Sequence, residues 1–405
     1  MCAAVDANST NLYVSDSQYS LIRVVQIATG SVRLLAGSGA AAYVDGPGAA
    51  ASFSAPSGLA LDVNGTYLYI ADSGNNRVRA MLVATQQVST VAGGNAAGSA
   101  NGAGTAASFA GPQGVAVDVA GQFLYVADTK GHCVRRIALA TRDVTTLAGT
   151  CNSAVATPSP AFANGVGAAA AFYLPYAVAV HPTAVPPLVF VADRGNHCVR
   201  QVNTTAAGAV VTTLAGLCDA AAASFVDAVG AAARFREPTG VAVDDSGLYL
   251  YIVDSGNNRV RRLVLVSGLV ATIAGSSGSF ANGYGAAALF SAPIGAAVDA
   301  AGQNMYVADT GNNRVRAIAM YVAAPCAPGT LCAAGAASAS PCPSAFFCPD
   351  TSQLQPVPPC PGGSSCPAGS SAGQRCPAGY FCPPRVAAAI PAAVGSFANT
   401  TGVAF

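Results

Sequence analysis

One short pattern returns six times in this chain: a strand-like run ending in aspartate. It reads LYVSD at Asp16, LYIAD at Asp72, LYVAD at Asp128, VFVAD at Asp193, LYIVD at Asp254 and MYVAD at Asp309. Successive aspartates lie 55 to 65 residues apart, and the repeats fill residues 1–322. A fixed period of this size describes one supersecondary unit stacked on copies of itself, because a lone unit cannot bury both of its faces.

The second unit shows the internal plan. Gly58 to Asp62 (GLALD) is a short apolar strand, and Asn64-Gly65 makes a tight turn. Tyr67 to Asp72 (YLYIAD) is a second strand, followed by the turn SGNN. Arg77 to Val83 (RVRAMLV) alternates its faces, and Val88 to Gly93 (VSTVAG) is the fourth strand. Four short antiparallel strands, rich in Val, Tyr, Ile and Thr and parted by Gly and Asn, read as one propeller blade. A Gly/Ala-rich connection then leads to the next unit. It carries one Phe (Phe53, Phe109, Phe172, Phe235, Phe290), with a Pro three residues later (Pro56, Pro112, Pro175, Pro238, Pro293). Each Phe is expected to anchor one blade against its neighbour. The predicted fold is all-β, a six-bladed propeller followed by a small disulfide-rich tail. The sixth unit lacks the VTTLAG-like strand, which leaves ring closure open.

The pattern P-x-G-V-A-V-D, then L-Y-V-A-D-T/S-x-N-x-R-V-R, then V-T-T-L-A-G, resembles the NHL repeat and covers roughly four-fifths of the chain. The resemblance implies the propeller. It does not fix an activity, since one fold hosts many. It admits an RNA-binding scaffold, a calcium-holding lactonase-like enzyme and a zinc lyase alongside a binding module.

Charged residues make up only 9% of the chain, and the formal net charge is +1. Twelve of them recur together. Seven residues after each marker Asp stands an Arg: Arg23, Arg79, Arg135, Arg200, Arg261 and Arg316. With the hairpin turn centred between Asn75 and Asn76, Asp72 faces Arg79 across the hairpin. The expected structure is one cross-strand ion pair per blade, Asp16–Arg23 through Asp309–Arg316, rather than a basic ring for RNA. A second Arg, five residues after the Asp, occurs at Arg77, Arg259 and Arg314. These have no fixed partner in the pattern and read as solvated edge charges or as a possible ligand surface.

In two units that second Arg is a cysteine, Cys133 or Cys198, and only those units carry Cys after the fourth strand, at Cys151 and Cys218. Hairpins centred at Arg142 and Gly208 bring each pair together, so disulfides Cys133–Cys151 and Cys198–Cys218 are expected across the third and fourth strands. A metal site with the adjacent His132 or His197 has too few ligands.

Candidates for catalysis are sparse. The three histidines are His132 and His197, at turn positions held by Asn76, Asn258 and Asn313 elsewhere, and His181, which replaces a strand-ending Asp. Polar turn residues account for the first two. Glu237, the one glutamate, precedes a loop Pro near the channel, where lactonase-like relatives hold calcium. A hard cation needs several converging oxygens, and no Ser-His-Asp set or phosphate loop is visible. No cofactor and no enzymatic activity are expected.

Residues 323–384 hold four C-x5-C units: Cys326/Cys332, Cys342/Cys348, Cys360/Cys366 and Cys376/Cys382. Their segments, PCPSAFFCP and RCPAGYFCP among them, are similar to the cysteine-rich repeats of ephrin-receptor-like extracellular proteins. All eight cysteines are expected in disulfides, with connectivity open, because so few apolar residues cannot form a core alone. That density points to an oxidising compartment. Residues 385–405 are Ala-rich, expected to be disordered or truncated. No apolar run is long enough to span a bilayer, and no secretory signal is visible at Met1, so a fragment is expected. Sequons stand at Asn8, Asn64, Asn203 and Asn399. The expectation is an extracellular or cell-surface module that binds a protein or glycan partner, not nucleic acid.

Overall fold

The computed structural model describes residues 2–320 except 95, 152–161, 206–207, 220–222 and 284, with short stretches between 330 and 391. It comprises two compact units, Met1–Met320 and Tyr321–Phe405.

The first unit is a six-bladed β-propeller. Blade two runs Pro56–Leu61, Tyr67–Asp72, Arg77–Leu82 and Gln87–Ala92, each strand antiparallel to the one before. Its second strand is buried on both faces from Leu68 to Asp72, as befits a strand flanked by neighbouring blades. Blades one to five have four such strands, while blade six has three among the described residues. The innermost strands are Ala3–Val5, Pro56–Leu61, Pro112–Val117, Pro175–Val180, Pro238–Val243 and Pro293–Val298. Each packs against the next, and the last packs against the first. The ring therefore closes on six blades, the point that the short sixth unit left open.

Side chains between blades supply the core. Phe53, Phe109, Phe172, Phe235 and Phe290 are buried there, among strand residues such as Ile22, Leu68, Val78 and Leu124. At the axis the blades meet through backbone. A Cβ on Gly58 would lie 2.4 Å from the Gln113 carbonyl, and one on Gly114 would lie 2.7 Å from Cα of Ala177. The Gly of P-x-G is thus required by close approach rather than by a turn.

The hairpin centre lies one residue earlier than the sequence reading put it, which moves each cross-strand partner by two. Asp72 pairs with Arg77, and Arg79 pairs with Ile70. The turn is a 3-10 segment, Ser73–Asn75, closed by Asn76 at φ 54°. Four residues therefore separate the strands, and Arg79 reaches Asp72 on the diagonal of the same face.

The long connections are also more than linkers. Gly46–Pro47 pairs with the outer strand of blade two at Val88 and Gln87. Gly102–Ala103 and Gly165–Val166 do the same in blades three and four. Each loop caps the edge of the blade that it leads into.

The second unit contains short two-stranded pairings, such as Ser364–Ser365 with Gln374–Arg375. Cys366 is buried and disulfide-bonded. Cys326, Cys332, Cys342, Cys348, Cys360, Cys376 and Cys382 lie outside the described residues. Among the described residues no helix is long and apolar enough to cross a membrane.

Candidate binding face and its supports

The repeated arginines are caged rather than displayed. Arg79 places Nη1 2.8 Å from Asp72 Oδ2 and Nη2 2.6 Å from Asp45 Oδ1. The same two nitrogens donate to the carbonyls of Ser52 and Val44, and the guanidinium lies over the Phe53 ring. The loop partner of the other arginines is Asn101, Asn164, Asp227 or Asn282. Arg79, Arg135, Arg200 and Arg261 have no exposed surface, so they offer nothing to a nucleic-acid phosphate. The second aspartate oxygen accepts a loop amide, from Ser54, Ala110, Tyr173, Arg236 or Ser291. Burial pushes the Asp128 and Asp193 carboxyls up to about 6 each, against the pull of these donors and of their arginines. Blade one is the exception: Arg23 meets only Asp16, at 2.8 Å, and its side chain is 36% exposed. The pattern reading missed the loop partner. Its signal is an Asp or Asn, usually before Gly, about 34 residues ahead of each Arg.

Arg77 and Arg259 are held against aromatic rings rather than left as free charges. Arg77 is buried, 3.8 Å from the centre of the Tyr43 ring, and donates to the Gly94 carbonyl. Arg259 sits 3.9 Å from the centre of Phe225 and donates to Ser276. Arg314 packs on Phe280 and is exposed. An aromatic two residues before the loop Asp or Asn holds each of them. Blades three and four use disulfides at the same place: Cys133–Cys151 with Cα atoms 5.0 Å apart, and Cys198–Cys218 at 4.9 Å. A bulge between Val134 and Arg135 shifts the register, and the fourth strand ends at Ala148. The bond therefore ties the third strand to the loop leaving the fourth, rather than crossing the two strands.

One end of the axis gathers the leading prolines of the inner strands and the turns after each marker Asp. Here the blades are tied by small groups. Ser17 and Ser73 donate to the carbonyls of Pro56 and Pro112, and Thr129 donates to that of Pro175 at 2.7 Å. Asn76 Oδ1 accepts the Gly111 amide, and Asn258 Oδ1 accepts that of Ala292. His132 and His197 do the same work through Nδ1, which accepts the amides of Leu174 and Glu237 at 3.1 and 2.9 Å. Both imidazoles stand in for Asn at a left-handed turn position, and burial holds the His132 pKa below its ordinary value. At the opposite end, His181 Nε2–H donates to the Gly247 carbonyl of the next blade.

Blades three to five break the repeat at this face. Lys130 stands where four blades have Gly74, Gly195, Gly256 and Gly311 and blade one has Gln18. Tyr173 and Arg236 replace Ser54, Ala110 and Ser291, while Tyr176 replaces Ser57, Gln113, Thr239 and Ile294. Arg194 replaces the tying hydroxyl and reaches Glu237 instead, Nη2 to Oε2 at 2.6 Å. That hydrogen bond, with the positive charge behind it, lowers the Glu237 pKa. Tyr173 stacks on His132 with ring centres 5.5 Å apart, and the Arg194 guanidinium lies 5.7 Å from the centre of Tyr176. Lys130 and Arg236 are exposed beside them. The result is a rigid aromatic and basic patch on one side of the channel mouth. The axial cavity beneath, lined by Cys2, Ser57, Gln113, Tyr176, Thr239 and Ile294 among others, holds about 60 Å³. That is room for about two waters, against the ~300 Å³ or more of a small-molecule pocket.

A sequence profile of the teneurin NHL domain matches residues 92–319, more than half of the chain. The chain belongs to the teneurin NHL family. Among its relatives, bovine NHL repeat-containing protein 2 is 35% identical over 141 residues, 33% of this chain and 19% of that protein. The chloroplastic protein SUPPRESSOR OF QUENCHING 1 of Arabidopsis thaliana is 26% identical over 327 residues, 78% of this chain and 30% of that protein. The chain thus spans a third or less of the length of these relatives. An auxiliary nutrient binding protein of Bacteroides thetaiotaomicron shares the fold, with a TM-score of 0.56 at 14% identity, over 78% of this chain and 68% of that one.

Among the described residues, no three His, Cys, Asp or Glu side chains converge as a metal site would need. Glu237 is engaged with Arg194 at the surface rather than turned into the channel as a lone carboxylate.

Proposed function

We propose that the chain is an extracellular or cell-surface interaction module that binds a protein or glycan partner through the channel-mouth patch of blades three to five, without catalysing a reaction. The observation that carries this is the clustering of Lys130, Tyr173, Tyr176, Arg194 and Arg236 on one side of the channel mouth, where most of the equivalent positions in other blades are Gly, Ser, Ala or Thr. Rigid aromatics beside basic groups are the composition of binding hot spots. Propeller disulfides favour an oxidising compartment. Asn8 and Asn64 are exposed on equivalent turns at the other end of the axis, where N-glycans would leave the patch clear.

The test is secretion from a eukaryotic host, followed by screening against arrays of extracellular ectodomains and glycans. Each partner bound by the wild type should be lost by a Lys130→Glu/Arg236→Glu variant and kept by Val63→Glu on the opposite face. Retention of every partner by the first variant contradicts the proposal.

A further inference from the structure

Blades three, four and five each set one cation beside the channel mouth: Lys130, Arg194 and Arg236. Arg194 is engaged with Glu237. The head groups of Lys130 and Arg236 are exposed and meet no hydrogen-bonding or ion-pairing partner among the described residues. Their stems lie flat on glycine. A Cβ on Gly111 would lie 3.1 Å from Lys130 Cδ, and one on Gly256 would lie 2.5 Å from Arg236 Cγ. Both charges are thus held in place, with less rotamer freedom to lose on binding. Between them the Tyr173 ring packs over Gly195 and is backed by His132 at an interplanar angle of 11°. The cavity beneath holds about 60 Å³, too little for the apolar anchor that a protein partner would drive into a pocket. The far mouth carries the opposite charge. Inner strands end there in Asp6, Asp62, Asp118, Asp244 and Asp299, each accepting amides of the turn that follows. A polyanion is therefore turned away from that end and towards the patch.

We propose, on the reading that the channel mouth is the binding face, that its ligand is an acidic polysaccharide. Lys130 and Arg236 receive anionic groups from separate sugars of the chain, and carboxylate or sulfate meets that need equally. Tyr173 stacks on a sugar ring between them. The exposed Arg194–Glu237 pair offers both donors and acceptors to sugar hydroxyls. Cations spaced one to a blade suit a linear ligand whose charges repeat. Nucleic acid is the other common polyanion, and the compartment speaks against it. Cys133 and Cys198, both in disulfides, stand three and four residues beyond Lys130 and Arg194, and such bonds persist where polyanions are chiefly polysaccharides.

The probes are immobilised heparin, which carries sulfates and carboxylates, hyaluronan, which carries carboxylates alone, and neutral dextran. The full chain, secreted from a eukaryotic host, is passed over each at physiological salt. Saturable binding to heparin, to hyaluronan or to both is expected, with none to dextran. Binding to hyaluronan shows that carboxylate suffices, and binding to heparin alone assigns sulfate. Lys130→Gly/Arg236→Ser should weaken it about tenfold or more, because two charge-assisted hydrogen bonds are lost. Tyr173→Ala should weaken it about threefold or more with its salt dependence unchanged, because stacking carries no charge. Each substitution installs a residue that another blade has at that position, Gly74, Ser54 or Ala110, so the fold accommodates it. Arg142→Asn removes a charge from the turn between Cys133–Ala138 and Asp143–Ala148, at the opposite end, and should leave binding intact. Binding to neither acidic polysaccharide overturns the proposal, while the ectodomain partners and their loss in Lys130→Glu/Arg236→Glu judge the patch separately. Binding that the patch variants retain overturns it too. So does an equal loss with Arg142→Asn, or equal binding to single-stranded DNA, since either reduces the effect to bulk charge.

Discussion

Arg79→Met and Arg23→Met remove the same repeat position from neighbouring blades, and the structure gives them different costs. In blade two the loss of Arg79 leaves Asp72 fully buried, held only by the Asn75 side chain and the Ser54 amide. It also takes one donor each from Asp45, which keeps Thr90, and from the carbonyls of Ser52 and Val44, which keep each other's amides. Breaking one side of a buried pair typically costs ~3–5 kcal/mol. Arg23 has one partner and an exposed side chain, so its pair is screened and is worth about 1 kcal/mol or less. The two variants should differ by at least ~2 kcal/mol, about thirtyfold in the unfolding constant. Urea unfolding followed by far-UV circular dichroism reads both. A double variant, Asp72→Leu/Arg79→Met, should recover part of the loss, because it removes the stranded charge as well. Equal costs for the two single variants would refute the claim that the loop cage gives the repeated Arg its weight.

Other consequences follow from the same geometry. Cys151→Ala opens an 18-residue loop closure and should cost ~3 kcal/mol on the chain-entropy account, read by the urea midpoint under non-reducing conditions. Glu237→Gln frees a half-exposed ion pair and should change stability by under ~1 kcal/mol, whereas a large loss would give that carboxylate a deeper role. Because His132 Nδ1 is an acceptor and its folded pKa lies below the ordinary value, its contribution is complete above about pH 6.5 and is lost as pH falls through the folded value. His132→Asn, which keeps an acceptor as in blade two, should therefore flatten the fall in stability between pH 7 and 5 relative to wild type. Asp128 and Asp193 run in the opposite sense: with folded values near 6 they favour folding below ~4 and lose that contribution as pH rises through 6. They are common to both proteins, so the comparison cancels them.

The repeat made the blades legible, since six copies of one strand pattern leave few architectures open. Asp72 and Arg79 could be paired because they recur at one spacing, although the cross-strand register came out two residues off. Pattern alone did not show that the SGNN turn closes through a left-handed residue after a 3-10 segment. Closure on six blades was not legible either, because it rests on packing between Pro293–Val298 and Ala3–Val5, residues far apart in sequence. The roles of Asp45 and Tyr43 were hidden for a related reason. They sit in a loop read as a connector, and their partners Arg79 and Arg77 belong to a strand more than 30 residues on. His132, His197 and Glu237 looked like possible chemistry by their rarity. The structure gives them to blade-to-blade ties, where the geometry needs an acceptor or an ion pair more than it needs a particular residue. The patch itself was visible only as departures from the repeat, scattered over Lys130, Tyr173, Tyr176, Arg194 and Arg236. Only the fold shows that they share one face.

Hydrogen exchange of the chain with and without a partner drawn from the ectodomain or glycan arrays tests the central claim most directly. The account predicts slowed exchange in the turns at Thr129–His132 and Arg194–His197 and in the segments Tyr173–Tyr176 and Arg236–Thr239, with none in the Asp62–Tyr67 turn on the opposite face. Protection centred on that opposite face, with the channel-mouth turns unchanged, would contradict it.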